Sequence, residues 1–383
     1  MEEIYLHRKT ILFDVDGVLL SEERYFDATA LTIFELIHNE LYLGQQREKF
    51  TTSPSETQIR QIRKDVFVDD SVLSFIKARG INSNWDMVYL VFSYQLLLLL
   101  EQIHQKDPSF VTSLLQKDLA YDDFAKIKEK SNTLRLSFQP NYRQFLDDFK
   151  ESKEEKQALF LHLNTIVKKR LSIHTSFFKR QSMLWDICQE TFQEWYLGDE
   201  YVEESMMNKP RESGKKGFLQ DEIPILSKEE MHTLFTTLKQ KGYQLGIGTG
   251  RPKVETIEPL KALGILSFFD HNRIITASDV LEAERLYPDK TPLAKPEPYA
   301  YVQGMLGTEV PVLDAISYPL PIKNGGDVLV VGDSLADYMA AKAIGCQFAA
   351  VLTGLSGEKA RADFENRADY ILNNAYELIQ IVQ

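Results

Sequence analysis

Four short clusters hold the residues of this 383-residue chain whose types and spacing are suited to chemistry. In Ile11-Leu12-Phe13-Asp14-Val15-Asp16-Gly17-Val18 an apolar run ends in two aspartates two positions apart. On an extended backbone both side chains leave on the same side. Their like charges disfavour joint ionisation unless a cation sits beside them. Gly17 allows a tight turn out of the strand. A lone Asp-x-Asp is more often a pair of solvated loop residues, so the cluster does not decide alone.

The second cluster, Gly246-Ile247-Gly248-Thr249-Gly250-Arg251-Pro252, brings a hydroxyl and glycine amides to the start of a helix, where they form an anion cradle. Its glycines lack the spacing of a dinucleotide fingerprint, and by itself it is only a turn. The third, Lys295-Pro296-Glu297-Pro298, sets a cation just before a helix start, where the helix dipole adds positive potential. In isolation it is a surface lysine in a proline-rich loop. The fourth runs from Asp327 to Asp337. Its apolar strand delivers Asp333, and Asp337 follows one helical turn later, so both carboxylates can face one point. Asp333 or Ser334 can equally cap the helix. Together the clusters supply paired carboxylates, a hydroxyl-amide cradle, a lysine and two more carboxylates. That set is what phosphoryl transfer needs: oxygen ligands for a hard cation and donors for the phosphoryl oxygens.

The elements that must position these clusters follow from the apolar pattern. Strands are expected at Thr10 to Phe13, Gln244 to Ile247, Arg273 to Thr276, Val328 to Val331, Phe348 to Leu352 and Tyr370 to Leu372. Helices at about 228 to 241, 253 to 263, 297 to 306 and 335 to 344 alternate with them, the pattern of a parallel sheet covered on both faces. Residues 21–208 hold three of 14 prolines and three of 19 glycines, so the middle reads as helical. Phe145, Phe149, Leu159, Leu163 and Val167 recur there at helical spacing. The first strand stands alone before this region, which makes it an insertion. The polar, breaker-rich Lys209 to Gly217 is the expected return hinge, and the charged run Lys150 to Lys156 a solvated helix face.

Composition limits the function. Forty-four Lys and Arg against 56 Asp and Glu give a net charge of −12, which argues against electrostatic binding to nucleic acid or anionic membrane. Met87 to Leu100 is too short for a membrane span and reads as a buried helix. The acidic Met1 to Arg8 lacks the basic region of an export signal. Two distant cysteines, Cys188 and Cys346, fit a reducing compartment, so a cytoplasmic location is expected.

In order and wording, Asp14-Val15-Asp16-Gly17-Val18, Thr249-Gly250, Lys295-Pro296-Glu297-Pro298 and Gly332-Asp333-Ser334-Leu335-Ala336-Asp337 resemble the haloacid dehalogenase-like (HAD) superfamily, specifically its phosphatases with a helical cap. The resemblance implies an α/β fold. Its parallel-sheet, Rossmann-like core would be residues 1–20 and 221–383, with a large inserted α-helical cap domain at 21–220. By the same analogy Asp14 is the nucleophile that forms an aspartyl-phosphate, and Asp16 the general acid and then base. Thr249, Gly250 and Lys295 hold the phosphoryl oxygens. Mg²⁺ is held by Asp14, the Asp16 backbone carbonyl and Asp333, with Asp337 assisting. Thr249 follows Asp14 by 235 positions and Lys295 follows Thr249 by 46, which puts the cap in the first insertion site.

The expected activity is Mg²⁺-dependent hydrolysis of a small phosphorylated metabolite. A phosphomutase needs the same motifs, and a binding or regulatory protein with a vestigial site is the third reading. Ser21, Glu22, Arg24 and Tyr25 are within reach of a substrate, although a solvated first helical turn is the simpler expectation. Arg251 is ambiguous in the same way. His38, His104, His162 and His174 lack metal-ligand spacing, and Trp85 and Trp185 are expected in the core. The oligomeric state is not legible.

Overall fold

The computed structural model describes residues 9–382 apart from 46–48, 82, 151, 156 and 157. The N-terminal octapeptide and part of the Lys150 to Lys156 run lie outside these residues. The chain divides into two compact units, Met1–Glu23 with Leu219–Gln383, and Arg24–Phe218.

The first unit is built on a six-stranded parallel sheet. Its strands are β1 (Thr10–Phe13), β2 (Gln244–Gly248), β3 (Ile274–Ile275), β4 (Val328–Gly332), β5 (Gln347–Val351) and β6 (Tyr370–Leu372), in the order β3-β2-β1-β4-β5-β6. Alternation along β1 sends Ile11 and Phe13 to one face and Leu12 to the other. Ile11 and Phe13 meet Met231, Leu234 and Phe235 of the helix Lys228–Gln240. Leu12 meets Tyr301 and Val302 of the helix Tyr299–Leu306 and Ala340 of the helix Leu335–Ile344. Phe13 packs edge-on against Phe235 and Phe269, with centroids 5.7 and 6.0 Å away. Each such fully buried side chain stabilises the fold by about 1.5–3 kcal/mol. Phe13 pairs in register with Ile247 and Val331, so β1, β2 and β4 end level with one another. The residues after them, Asp14, Thr249 and Asp333, therefore emerge at one edge.

β3 is shorter than the apolar pattern suggests, because both its ends serve other purposes. Arg273 lies in a 3₁₀ turn and its guanidinium donates to the carbonyls of Gly304 and Met305, which close the helix Tyr299–Leu306. Thr276 precedes the helix Ala277–Leu286, and its amide and hydroxyl both donate to Asp279 Oδ2.

The second unit is helical. Its central helix, Asn84–His104, has 21 residues, long and apolar enough by length and composition to cross a membrane. This corrects the estimate from Met87 to Leu100. Its apolarity has a local cause: Leu90, Val91, Phe92, Leu96 and Leu99 are all fully buried inside the unit, as an all-round apolar helix must be. Gln95 is tolerated there because it exchanges hydrogen bonds with the Asn141 backbone, at 2.7 and 3.3 Å. Phe145, Phe149, Leu159, Leu163 and Val167 are buried as their spacing predicts, and Trp85 and Trp185 pack edge-on. Lys153, Glu154 and Glu155 are exposed, but residues 152–155 are irregular, not a helix face.

One further expectation fails in this unit because a charged residue is buried with its partners. Arg24 and Tyr25 are not a solvated turn. Arg24 pairs with Asp27 and Glu56 at 3.0 and 3.1 Å, and Tyr25 stacks on Tyr196 with centroids 4.3 Å apart. The segment Lys209 to Gly217 is irregular and largely exposed, except at Lys215, which is buried. Gly198 breaks the helix Met183–Met206 at φ 72°, and a Cβ there would lie 2.4 Å from the Lys216 carbonyl. This close approach brings in Lys215, whose fully buried ammonium lies 2.8 Å from Glu35 and 2.6 Å from Glu194. Burial raises the Glu35 carboxyl above the ordinary range, and the Lys215 charge opposes that rise.

Candidate active site

Asp14 follows β1, and its amide donates to Val331 O at 2.9 Å, which ties the strand end to β4. Its Oδ1 accepts from the Val15 amide at 2.8 Å and its Oδ2 lies 2.9 Å from Lys295 Nζ. Burial pushes the Asp14 carboxyl up to about 7; Lys295 opposes this, and the charges of Asp337 and Asp16 add to it. Lys295 Nζ also donates to Asp337 Oδ1 at 2.7 Å and to Tyr301 Oη at 3.2 Å. Burial works to lower this ammonium, but Asp14 and Asp337 outweigh it and hold it above the usual lysine range. The helix after it begins at Tyr299, later than the proline spacing suggests. Lys295 is thus held by two carboxylates and a phenol, not set against a helix start.

Asp337 is fully buried and its oxygens are committed. Oδ1 accepts from Lys295 and, at 2.8 Å, from Tyr301; Oδ2 accepts from Ser334 Oγ at 2.7 Å within a reciprocal helix cap. These donors, Lys295 first, outweigh burial and hold Asp337 below its ordinary value. Asp333 differs. Among the described residues nothing donates to its carboxylate, which is wedged between Gly17 and Gly354; a Cβ on them would fall 2.3 and 1.8 Å from Oδ2. Burial, then the charges of Asp337 and Asp14, push Asp333 well above the ordinary range. Asp14, Asp333 and Asp337 each offer an oxygen within 4.8 Å of the others. One ammonium among three carboxylates leaves negative charge uncompensated. An all-oxygen donor set of this kind fits a hard divalent cation.

The cradle is narrower than expected. Thr249 is buried and its Oγ1 accepts from the Arg251 amide at 3.2 Å, so its hydroxyl hydrogen remains to donate. The Lys253 amide at the helix start donates to Ser278 Oγ at 3.0 Å. The exposed Gly250 is left to offer its amide. Asp16 is about one-third exposed and its Oδ1 lies 2.6 Å from Arg251 NH2. Arg251 in turn reaches Glu222 Oε1 at 2.7 Å.

In the first unit Asp14, Lys295, Asp333 and Asp337 meet directly and Asp16 reaches the turn after β2 through Arg251, while Thr249 and Gly250 follow β2 in that turn. Sequence reasoning misses Tyr301 and Glu222 and leaves Arg251 open. A tyrosine on an apolar helix and a glutamate in a polar stretch carry no signal of their own; only a buried cation in need of partners would point to them. Among the described residues the acidic trio is the one group suited to a metal, and it contains no histidine.

The family model for haloacid dehalogenase-like hydrolases matches residues 8–345. A Northeast Structural Genomics Consortium X-ray structure is 36% identical with a TM-score of 0.89, and the match covers 97% of this chain and 98% of that one. Pyrophosphatase PpaX of Bacillus velezensis is 29% identical over 161 residues, 42% of this chain and 61% of that protein. PpaX of Bacillus pumilus is 26% identical over 156 residues, 40% of this chain and 59% of that protein. The match therefore spans about three-fifths of these curated relatives.

Proposed function

Because the chain belongs to the haloacid dehalogenase-like hydrolase family, we propose that it is a cytoplasmic, Mg²⁺-dependent phosphatase acting on a small phosphorylated metabolite. The observation that carries this reading is the junction of Asp14, Lys295, Asp337 and Asp333 at the carboxyl ends of parallel strands, where α/β sheets form their sites. Residues 1–20 and 221–383 would be the catalytic core and 21–220 the cap that shapes substrate choice.

In this proposal Asp14 attacks phosphorus and forms an aspartyl-phosphate, and Asp16 protonates the leaving oxygen and then takes a proton from the attacking water. Thr249, the Gly250 amide and Lys295 hold the phosphoryl oxygens. Asp14, Asp333 and the Asp16 backbone carbonyl would hold Mg²⁺, which when bound neutralises charge developing on the phosphoryl group. Asp337, its oxygens already taken, would orient Lys295 and line the metal site from behind.

The test is phosphate release from a panel of sugar phosphates, other phosphomonoesters and pyrophosphate. Pyrophosphate belongs there because two relatives carry pyrophosphatase names. Release that chelation abolishes and Mg²⁺ restores is expected. An isomeric phosphate without net release would favour a phosphomutase; silence on every substrate, aryl phosphates included, would favour a binding role. A further expectation concerns Gly354→Ala. Its methyl group would displace the Asp333 carboxylate, so the Mg²⁺ concentration for half-maximal activity should rise about 10–100-fold, the usual cost of disturbing a ligand's support. An unchanged Mg²⁺ requirement would remove Asp333 from the metal site.

A further inference from the structure

We propose that Arg251 and Glu222 are positioning residues for Asp16, a role that rests on the phosphatase reading above and extends it to a pair that reading leaves without a function. Arg251 follows the exposed Gly250, yet its side chain is buried, 1% exposed. Its Nε and NH2 both reach Asp16 Oδ1, at 2.8 and 2.6 Å. Its NH1 reaches Glu222 Oε1 at 2.7 Å and the Glu255 carbonyl at 3.3 Å. The guanidinium is spent on protein groups along both edges. A phosphoryl oxygen would have to displace Asp16 on one edge or the buried Glu222 on the other to reach it, so Arg251 is assigned to positioning and not to phosphate binding.

What the cluster does is orient. Asp16 is anchored through one oxygen, Oδ1, which leaves Oδ2 with a set direction. Acid-base catalysis depends on that direction, because a proton transfers only across a short, aligned contact. Glu222 holds the far side of Arg251. It lies on the segment returning to the sheet, whose backbone is bonded to the outgoing segment through Ser21 N to Ile223 O at 2.9 Å and Ile225 N to Leu19 O at 3.0 Å. Three stretches distant in sequence thus meet on one guanidinium: the turn after β1, the turn after β2 and the return segment. Lysine ends in one compact ammonium, whereas the planar guanidinium presents separate edges, one to Asp16 and one to Glu222.

The test uses Arg251→Met, Arg251→Lys and Glu222→Gln in the full chain with 4-nitrophenyl phosphate, followed by stopped-flow and steady-state assay. Nitrophenolate leaves without help from an acid, so the first step needs no aligned Asp16, whereas hydrolysis of the phosphoenzyme needs it as base. Arg251→Met should keep a nitrophenolate burst of about one per site, while steady-state turnover falls about 100-fold, the cost of misplacing a catalytic group by about 1 Å. With an alkyl phosphate the first turnover should slow as well. Arg251→Lys and Glu222→Gln should show the same split with smaller losses, so the test survives if Arg251→Met fails to fold. Equal loss of burst and turnover in these two variants, or parental values for both, would overturn the proposal. Failure of the phosphatase reading shows separately, as a parental enzyme without phosphate release or an Asp14→Asn variant that keeps its burst.

Discussion

Asp14→Asn is expected to lower turnover by about 10⁴-fold or more while leaving the protein folded, because an amide cannot attack phosphorus and no neighbour replaces it. The substitution keeps the shape of the side chain and its acceptor for the Val15 amide. It removes a carboxylate whose ionisation burial already opposes. Lys295 loses one partner and keeps Asp337 and Tyr301, so the strand ends should stay in register and the unfolding midpoint near the parental value. Activity within about 10-fold of the parent would contradict the nucleophile assignment, since general acid-base and electrostatic help alone do not replace a covalent route.

Lys215→Met should have the largest effect on stability, a loss of about 3–5 kcal/mol, the cost of removing one member of a buried ion cluster. Lys215 and Glu35 are fully buried, and Glu194 nearly so. Without the ammonium, two carboxylates face each other in an apolar interior, and one of them, Glu35, is already raised by burial. Urea unfolding measures the loss. Adding Glu35→Gln should recover part of it, because the amide removes one of the orphaned charges. A loss below about 1 kcal/mol would mean that water reaches the cluster and screens it as it does a surface pair.

Asp14 and Lys215 stand on opposite sides of what an amino-acid sequence can reveal. Asp14 is legible because it ends an apolar run, and the run itself fixes where a strand must stop. The same logic locates β1 and β6 to the residue, and β2, β4 and β5 to within one position at either end. Lys215 reads as part of a polar hinge, since a buried lysine and a solvated one are identical in sequence. What separates them is two glutamates, 180 and 21 positions away. Arg24 and Arg251 escape the sequence pattern for the same reason. Periodicity reports which face of an element is apolar; it carries nothing about which distant charges will be desolvated together. β3 reads too long at both ends because Arg273 and Thr276 look like strand residues locally, yet one holds a neighbouring helix and the other starts the next.

The site divides along the same line. Residues at strand ends are found from pattern and resemblance, whereas their supports are not. Tyr301 and Ser334 take up the oxygens of Asp337, Gly17 and Gly354 wedge Asp333, and Glu222 backs Arg251. Most of these supports act through contacts between segments far apart in the chain. The net charge of −12 says little about the substrate in this light, because an anionic group would meet Lys295, the Thr249 hydroxyl and one amide at a single point.

The central claim is that the phosphoryl group passes through Asp14. It is tested most directly by acid-quenching the protein during turnover of a phosphate-labelled substrate and mapping the label by peptide mass spectrometry. Label on the peptide carrying Asp14, absent in Asp14→Asn and lost on standing in base as an acyl phosphate should be, is the predicted result. Phosphate release at full rate with no label on that peptide would contradict it.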